Sequence, residues 1–184
     1  MPIPKKLLNA LAKHQVKYRV LPHKTVFTAY DLATTLGEPL GKVAKTLLVR
    51  ADQRYVLVVL PASYRLDFKK LAKLLKAKTV SISPEAAIKR MKVMPGTTPP
   101  FGSLLGIGVV VEKALVRAGD IIVRAGSLTE SLGMHAKDFV KMESPMLGVF
   151  GVKGQPGPKP SKRGAKTKAV VRGSTAKRPT SKRK

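Results

Sequence analysis

The chain has 184 residues, of which 36 are Lys or Arg and 10 are Asp or Glu, and its formal net charge is +26. A hydrophobic content of 43% and a mean hydropathy of -0.04 exclude a chain that is disordered throughout, because such chains combine high charge with low hydrophobicity. The absence of Cys excludes disulfides and a cysteine nucleophile, and three His are too few for a multi-histidine zinc site. No apolar run is long enough to span a membrane and no signal peptide is evident, so we expect a cytoplasmic protein. We also expect neither a metal nor a cofactor.

The positive charge is divided unevenly along the chain. All ten acidic residues lie within residues 1–150, which also hold 24 basic residues and so carry a net charge of +14. The 12 Lys and Arg residues that follow have no acidic neighbours and stand among Pro, Gly, Ala, Ser and Thr. We therefore predict one domain over residues 1–145 and a disordered basic tail over residues 146–184. Such a tail is either a solubilising extension or an arm that binds nucleic acid through phosphates.

Hydrophobic periodicity, capping residues and turn residues predict the elements of the domain in chain order. The first half is predicted to hold a helix at residues 5–15, a strand at 18–21, a helix that Thr28 caps and Gly37 ends, and a hairpin of strands 43–49 and 55–60 joined by a loop at 51–54. The second half is predicted to hold a helix from Asp67 to Leu75, a helix from Ser83 to Met91, a loop at 93–103, strands at 107–111, 121–124 and 134–136, and a helix at 137–142. This order indicates an α+β fold with a mixed, mainly antiparallel β-sheet surrounded by short helices.

Two of these helices carry specific expectations about their ends and faces. Asp67 is expected to cap the first of them, and the side chains expected to face inward are those of Phe68, Leu71, Leu74 and Leu75. The opposite face is rich in Lys, which is either a solvated surface or a set of phosphate contacts. Ser83 is expected to cap the second helix, ahead of a proline in its first turn.

Lys45 is the most unusual residue of the predicted sheet. Strand alternation sends it to the same face as Leu47 and Val49, where a buried ammonium needs a partner or a pocket. The alternative is an edge position at the start of the strand, with the amine in water. The pattern alone leaves both interpretations open.

A loop rich in Pro and Gly spans residues 95–102. Glycine lets a ligand approach backbone N–H groups closely and proline fixes the shape of a loop, so this loop can present amides to a carbonyl or a phosphate. A plain surface turn fits the same composition. His23, at the end of a predicted strand, is likewise either a pocket residue or an exposed loop residue.

The order and spacing of several motifs resemble one known family. The motifs are His23, Thr28-Ala29, Asp31-Leu32-Ala33, Val43-Ala44-Lys45-Thr46-Leu47, Tyr55-Val56-Leu57, residues 67–71 and Gly96-Thr97-Thr98-Pro99-Pro100-Phe101-Gly102. Together they are similar to the YbaK/prolyl-tRNA-synthetase-associated domain, an editing domain that hydrolyses mischarged aminoacyl-tRNA. The resemblance covers roughly residues 5–143, and its most specific parts are the Ala-Lys-Thr at 44–46 and the Gly-x-x-x-Pro at 96–100.

The resemblance implies a pocket between the Lys45 strand and the glycine-proline loop. It implies Lys45 as the catalytic residue and the following substrate-binding residues: His23, Thr28, Thr46, Gly96, Pro100, Phe101, Gly102, Gly126 and Ser127. The segment from Arg124 to Glu130, at the place of the family's second glycine-bearing loop, departs from the family pattern. A pocket lined by Val26, Leu47 or Ser127 would favour a small amino acid such as Ala or Ser.

The implied reaction is hydrolysis of the ester that joins an amino acid to the terminal adenosine of tRNA. An ester has a good leaving group, so positioning, an oxyanion donor and an oriented water can suffice without a covalent nucleophile. We expect Lys45 to bind the carbonyl or orient the aminoacyl group and the backbone of residues 96–102 to hold the other side. The ribose hydroxyl of the substrate is expected to activate the water.

Three functions from different classes follow from these observations. The first is a trans-acting aminoacyl-tRNA deacylase that binds mischarged tRNA through its basic surface, with the tail free to contact other nucleic acid. The second is a non-catalytic tRNA-binding or ribosome-binding module of the same fold. The third is a general nucleic-acid compaction factor that depends on the tail. Lys45 and the loop at 96–102 favour the enzyme, because a pure binder needs neither.

Overall fold

The computed structural model describes residues 2–91, 93–94 and 96–154 of the protein. Within these residues the helices are α1 (Lys5–Lys13), α2 (Ala29–Leu36), α3 (Phe68–Leu75), α4 (Glu85–Arg90), α5 (Lys113–Val116) and α6 (Ala136–Glu143), with a 3₁₀ turn at Gly102–Leu104. The strands are β1 (Tyr18–Pro22), β2 (Ala44–Ala51), β3 (Arg54–Pro61), β4 (Tyr64–Leu66), β5 (Val80–Ile82), β6 (Gly108–Glu112), β7 (Asp120–Arg124), β8 (Glu130–His135), β9 (Met146–Gly148) and β10 (Gly151–Lys153).

The strands form three sheets. A five-stranded sheet has the order β5-β2-β3-β6-β9, a three-stranded sheet has the order β1-β8-β7, and β10 pairs with β4. Within the described residues, β6 runs parallel to both β3 and β9, while the other strand pairs of the sheets are antiparallel. The predicted α+β class with mixed, mainly antiparallel pairing is therefore confirmed.

Two predicted helix caps are confirmed and one is wrong. Thr28 Oγ1 accepts a hydrogen bond from the Asp31 amide at 3.0 Å, and Asp67 Oδ1 accepts one from the Lys70 amide at 3.1 Å. These bonds satisfy amides that the first turn of a helix leaves unpaired. At α4, however, Pro84 occupies the cap position and makes no side-chain cap bond. The hydroxyl of Ser83 has no hydrogen-bond partner among the described residues.

The hairpin of β2 and β3 is tighter than the sequence suggests. Ala51 pairs with Arg54, so the predicted loop at 51–54 shortens to Asp52 and Gln53. Asp52 adopts a left-handed conformation, with φ at 52°, that a two-residue turn commonly requires. Its carboxylate also accepts hydrogen bonds from the amides of Lys78 and Thr79, which attaches the chain before β5 to the hairpin.

The five-stranded sheet buries both of its faces. Alternate residues of β3 enter two different hydrophobic clusters: Leu57 and Val59 pack toward α5 and α6, whereas Val58 and Leu60 pack beneath α3. This two-sided burial explains why β3 is a continuous apolar run rather than an alternating one. Phe68 is 41% exposed, contrary to the prediction that it faces inward, because only the later turns of α3 lie over the sheet.

The sheets extend past the domain boundary predicted at residue 145. β9 adds to the edge of β6, and β10 pairs with β4. The buried carboxylate of Glu112 connects this segment to the core, since its Oε2 accepts hydrogen bonds of 2.7 Å from the amides of both Phe150 and Gly151. The predicted tail lies outside the described residues from residue 155 onward.

Candidate active site

One edge of β2 is covered by two different strands that leave a gap between them. Just before β2, Val43 forms a parallel bridge with Ile122 of β7. At the end of β2, residues Val49 to Ala51 pair with β5. Among the described residues, no strand pairs with residues 45–47 along this edge.

The backbone of Thr46 points into this gap. On the same edge, Lys42 O accepts a hydrogen bond from the Ile122 amide, and Leu48 O accepts one from the Ser83 amide, each at 2.9 Å. Peptide groups alternate in direction along a strand, so Thr46 presents its N–H and C=O on the edge used by Lys42 and Leu48. The gap therefore presents the N–H and C=O of Thr46 at a place where, among the described residues, no strand pairs with them.

A cavity of about 300 Å³ occupies the gap. Its wall is built by residues 44–48 of β2, by the chain before α2, by the junction of β5 and α4, by the loop after α4 and by the end of β7. This volume lies at the lower end of the range for small-molecule pockets, roughly 300–1,000 Å³. It suits a small group at the end of a larger ligand.

The wall changes from buried to exposed with depth. Ala44, Leu48 and Arg124 are at most 4% exposed and form the floor, whereas Phe27 and Ile82 are 61% and 54% exposed and form the mouth. Exposed apolar side chains at the rim of a pocket commonly mark a binding surface. The cavity thus has a closed inner end and an apolar entrance.

Three buried polar atoms distinguish this cavity from other depressions of the surface. Thr46 Oγ1, Ser83 Oγ and Arg124 Nη1 are buried and have no hydrogen-bond partner among the described residues, and all three residues line the cavity. A larger groove of about 470 Å³ lies beside α6, but none of these three residues lines it. Because buried polar groups in folded proteins are nearly always paired, this concentration indicates a binding site.

Lys45 lines the cavity, half-buried, and Leu47 and Val49 of the same strand face belong to the cluster beneath α3. Its ammonium donates a hydrogen bond of 2.5 Å to Tyr64 O. Burial lowers the pKa of Lys45 below its usual value of 10.5, and the nearby Arg65 lowers it further. The lysine therefore has both of the features that a buried position demands, a partner and a pocket.

Arg124 is the second cation of the wall. Its Nη2 donates a hydrogen bond of 3.1 Å to Thr28 O, which holds the side chain beneath the start of α2. Burial lowers the pKa of Arg124, and the carboxylate of Asp31 opposes that effect. Among the described residues that line the cavity, Glu85 is the only carboxylate, and it is exposed.

The glycine-proline loop forms the remaining side of the cavity through Gly96 and Thr98. Gly96 has a φ of 80°, and a Cβ atom there would lie 2.8 Å from Phe27 O, so the backbone of the loop packs directly on the segment before α2. Thr97 O accepts a hydrogen bond of 3.1 Å from the Gly126 amide. The two glycine-bearing loops are therefore joined to each other.

The structure brings only part of the predicted site together. Lys45, Thr28, Thr46 and Gly96 all line the cavity. Leu47 is the only lining residue among the three that were expected to set the size of the pocket, since Val26 packs under α2 and Ser127 lies outside the wall.

The other predicted site residues lie behind the wall or away from it. His23 places its ring between Ser131 Oγ and Lys24 O, at 2.9 and 2.8 Å. Pro100, Phe101 and Gly102 are buried, and the ring of Phe101 packs edge-on against Phe139. Gly126 lies against the ring of Pro4, and the hydroxyl of Ser127 accepts hydrogen bonds from the amides of Thr129 and Glu130. None of these six residues is part of the cavity wall.

Ser83, Arg124 and Phe27 belong to the wall but were not predicted as site residues. Arg124 carried a usable signal, because strand alternation places it on the face of Ile122, which is buried. A buried arginine is unusual enough to suggest a role. The other two carried no comparable signal.

The chain belongs to the aminoacyl-tRNA editing domain family, whose model matches residues 23–142. Its fold is similar to that of a hypothetical protein known from its crystal structure, with a TM-score of 0.73 and 20% sequence identity over 80% of this chain and 99% of the other. It is also similar to a candidate trans-editing enzyme for prolyl tRNA synthetase, with a TM-score of 0.67 and 19% identity over 79% of this chain and 94% of the other. A comparison with curated proteins gave no match.

The described residues hold neither a membrane-spanning helix nor a cluster of metal ligands. No helix in this part of the chain is long and apolar enough to cross a membrane. The same residues contain no group of three or more His, Cys, Asp or Glu side chains placed to hold a metal ion.

Proposed function

We propose that this protein is a trans-acting aminoacyl-tRNA deacylase that hydrolyses the ester of mischarged tRNA. The observation that carries the proposal is the cavity at the gap in β2, which combines Lys45 with a free backbone edge and with three unpartnered buried polar atoms. Membership of the editing domain family supports the same reaction. The aminoacyl group enters the cavity, and the tRNA stays outside because the cavity holds only about 300 Å³.

The ester carbonyl lies between Lys45 and the glycine-proline loop. The ammonium of Lys45 has three N–H donors, and Tyr64 O uses one of them, so donors remain for the carbonyl oxygen as it becomes an oxyanion. The backbone N–H of Thr46 and those of the loop at Gly96 and Thr98 supply neutral donors from the protein frame. Donors that are fixed before the reaction stabilise the developing charge without reorganisation.

The attacking water is activated by the substrate itself. In the part of the chain that the structure describes, neither a His nor a Cys lines the cavity, and the one lining carboxylate, Glu85, is exposed. The ribose hydroxyl next to the ester can accept a proton from the water as it attacks the carbonyl and pass its own proton to the ribose oxygen that leaves, so that the products are the free amino acid and an intact ribose diol. The protein then contributes position and electrostatic stabilisation, which suffice for an activated ester.

The terminal nucleotide rests at the mouth and the tRNA backbone follows the basic surface beyond it. Phe27 offers an exposed aromatic ring for stacking by the terminal base, a contact of the kind that contributes about 1–3 kcal/mol per base. Next to Lys45 lies Arg65, and α3 exposes Lys69, Lys70 and Lys73. Among the described residues these lysines have one ion-pair partner, Asp67, at 4.0 Å from Lys70, so they are free to meet phosphates.

A deacylation screen tests the proposal. Purified protein is incubated with a panel of mischarged tRNAs, and Lys45→Ala is measured beside it. Lys42→Ala is the matched control, since Lys42 is a nearby lysine that pairs with Glu38 at 3.9 Å and does not line the cavity. We expect hydrolysis of at least one ester by the wild type and by Lys42→Ala, and a loss of about 100-fold or more in Lys45→Ala. Tight tRNA binding without hydrolysis of any ester would instead support a non-catalytic tRNA-binding module.

A further inference from the structure

The floor of the cavity carries hydrogen-bonding groups that the reaction at the ester does not use. Arg124, Ser83 and Leu48 are at most 5% exposed, whereas Gly96 and Phe27 are exposed. The ester must stay near the loop at Gly96, because the attached ribose and tRNA cannot enter. The part of the substrate that reaches the floor is therefore the side chain of the amino acid.

The unpartnered atoms of the floor define what that side chain must offer. A guanidinium is a hydrogen-bond donor only, so Arg124 Nη1 can be satisfied only by an acceptor. The hydroxyls of Thr46 and Ser83 can donate to the same acceptor or accept from a hydroxyl or an amide. Each atom belongs to a residue that lines the cavity, and rotation of the side chain can present it to a ligand.

Charge excludes two other occupants of the floor. The α-amino group of an aminoacyl ester and the side chains of Lys and Arg are cationic, and the wall already holds Lys45 and Arg124. The α-amino group has better partners in the outward-facing C=O of Thr46 and in the exposed carboxylate of Glu85. An oxygen acceptor on the side chain is the occupant that satisfies the floor.

We propose that the deacylase site selects amino acids whose side chains carry an oxygen acceptor, and that Arg124, with Thr46 and Ser83, is the specificity-determining group that binds this oxygen. The inference rests on the proposed function. It differs from the sequence-based expectation of a small pocket lined by Val26, Leu47 or Ser127, of which only Leu47 belongs to the wall. An apolar side chain of equal size would leave the buried guanidinium nitrogen unpaired, and sites built around such groups discriminate strongly against it.

Isosteric amino acids give the sharpest test. One tRNA is acylated in turn with Thr, Val, Asn or Leu, and single-turnover hydrolysis is measured with saturating enzyme. We expect the Thr ester to be hydrolysed at least about tenfold faster than the Val ester, and the Asn ester likewise faster than the Leu ester. Arg124→Met should lower the rates for Thr and Asn, leave those for Val and Leu nearly unchanged, and bring both ratios close to one.

A second variant and a second readout cover the cases in which the first measurement fails. Arg124 also donates to Thr28 O, so Arg124→Met can disturb the fold. The second variant, Thr46→Val, removes one hydroxyl without changing the size of the side chain. By itself it should lower the ratio of the Thr-ester rate to the Val-ester rate. Non-hydrolysable 3′-amide analogues of adenosine that carry Thr or Val report the same preference as a ratio of dissociation constants. This comparison remains informative for a protein that hydrolyses no ester.

The outcomes separate this inference from the proposed function. Equal hydrolysis of the Thr and Val esters, or a ratio that neither variant changes, would overturn the inference and leave the deacylase intact. If the protein hydrolyses no ester but binds the Thr analogue more tightly than the Val analogue, the proposed deacylase activity is wrong and the proposed selectivity of the cavity floor stands. Equal or absent binding of the two analogues by a protein that hydrolyses no ester would overturn both.

Discussion

Lys45→Met is expected to separate activity from stability. The substitution keeps a long, unbranched side chain and removes the ammonium, with its hydrogen bond to Tyr64 O. If the ammonium stabilises the oxyanion, its loss should lower the rate of hydrolysis by about 100-fold to 1,000-fold, the usual effect of removing one such donor. The effect on the fold should differ in sign from the effect on the rate.

The direction of the stability change follows from the environment of Lys45. A hydrogen bond to a charged group contributes about 1.5–3 kcal/mol, so the bond to Tyr64 O alone argues for destabilisation. Burial and, to a smaller extent, the nearby Arg65 lower the pKa of Lys45 and so disfavour its charged form in the fold. Methionine has no charge to desolvate. We therefore expect the free energy of unfolding of Lys45→Met to equal or exceed that of the wild type, with a tolerance of about 1 kcal/mol.

The pH dependence of this difference provides an independent check. Because the pKa of Lys45 is lower in the folded protein than its ordinary value of 10.5, the unfolded chain binds more protons between the two values. Wild-type stability should gain from this lysine as the pH rises through that window, and Lys45→Met lacks the gain. The difference in Tm between variant and wild type should be largest near neutral pH and should narrow toward pH 10.5.

Paired measurements of Tm and of single-turnover hydrolysis test this reasoning, with Lys42→Met as the control for removing a partly exposed lysine outside the cavity. A Tm for Lys45→Met that is several degrees below the wild type would refute it. Such a result would mean that the bond to Tyr64 O stabilises the fold. The loss of activity could then not be attributed to the oxyanion. Wild-type rates in a stable Lys45→Met variant would refute the catalytic role itself.

Three further predictions concern the frame of the site and the C-terminal segment. Glu112→Gln should lower the free energy of unfolding by about 2–3 kcal/mol in a denaturant titration, since an amide is a weaker acceptor than the carboxylate that holds the amides of Phe150 and Gly151. Gly96→Ala should slow hydrolysis strongly and lower Tm only slightly. Residue 96 has a φ of 80°, and a Cβ atom there would lie 2.8 Å from Phe27 O, so the substitution should move this loop away from the cavity. Unchanged rates would place the loop outside the reaction. Truncation after residue 154 keeps β10 and should weaken tRNA binding and flatten its salt dependence. Hydrolysis at saturating tRNA should stay constant. A loss of the chemical step would instead implicate the tail in the active site.

The parts of the fold that the sequence predicts are those with local causes. The α2 cap needs only Thr28 and the amide of Asp31, and the hairpin of β2 and β3 needs only two apolar runs and a short connection. By contrast, β5 spans three residues with two exposed side chains, so no periodicity marks it. β9 and β10 are equally short, and their place depends on Glu112, which is distant in sequence from the amides that it binds.

The same distinction applies to the candidate site. Lys45 could be predicted from the sequence because it is a charged residue in an apolar strand, and Gly96 because it lies in a loop rich in Pro and Gly. Strand alternation marks Arg124 as a buried residue, but the sequence does not predict that it lines one cavity with Ser83, because β5 and β7 approach the same edge of β2 from opposite ends. Ser83 was even assigned a local role, the cap of α4, which Pro84 takes instead. Phe101 and Gly102 show the converse, since a motif that resembles a pocket loop also supplies residues to the core.

The contrast between two kinds of buried polar group links the fold to the function. Glu112 receives three amides and Ser127 receives two, so these groups are saturated by the chain and stabilise it. Thr46, Ser83 and Arg124 each retain an atom that the described chain leaves unpaired, and they do so around one cavity. Apolar replacements of Glu112 and Ser127 should therefore destabilise the fold, whereas Thr46→Val and Ser83→Ala should be nearly neutral or stabilising. Arg124 also donates to Thr28 O, so its replacement carries that additional cost. Stability measurements across both groups can thus identify the functional positions before any substrate is known.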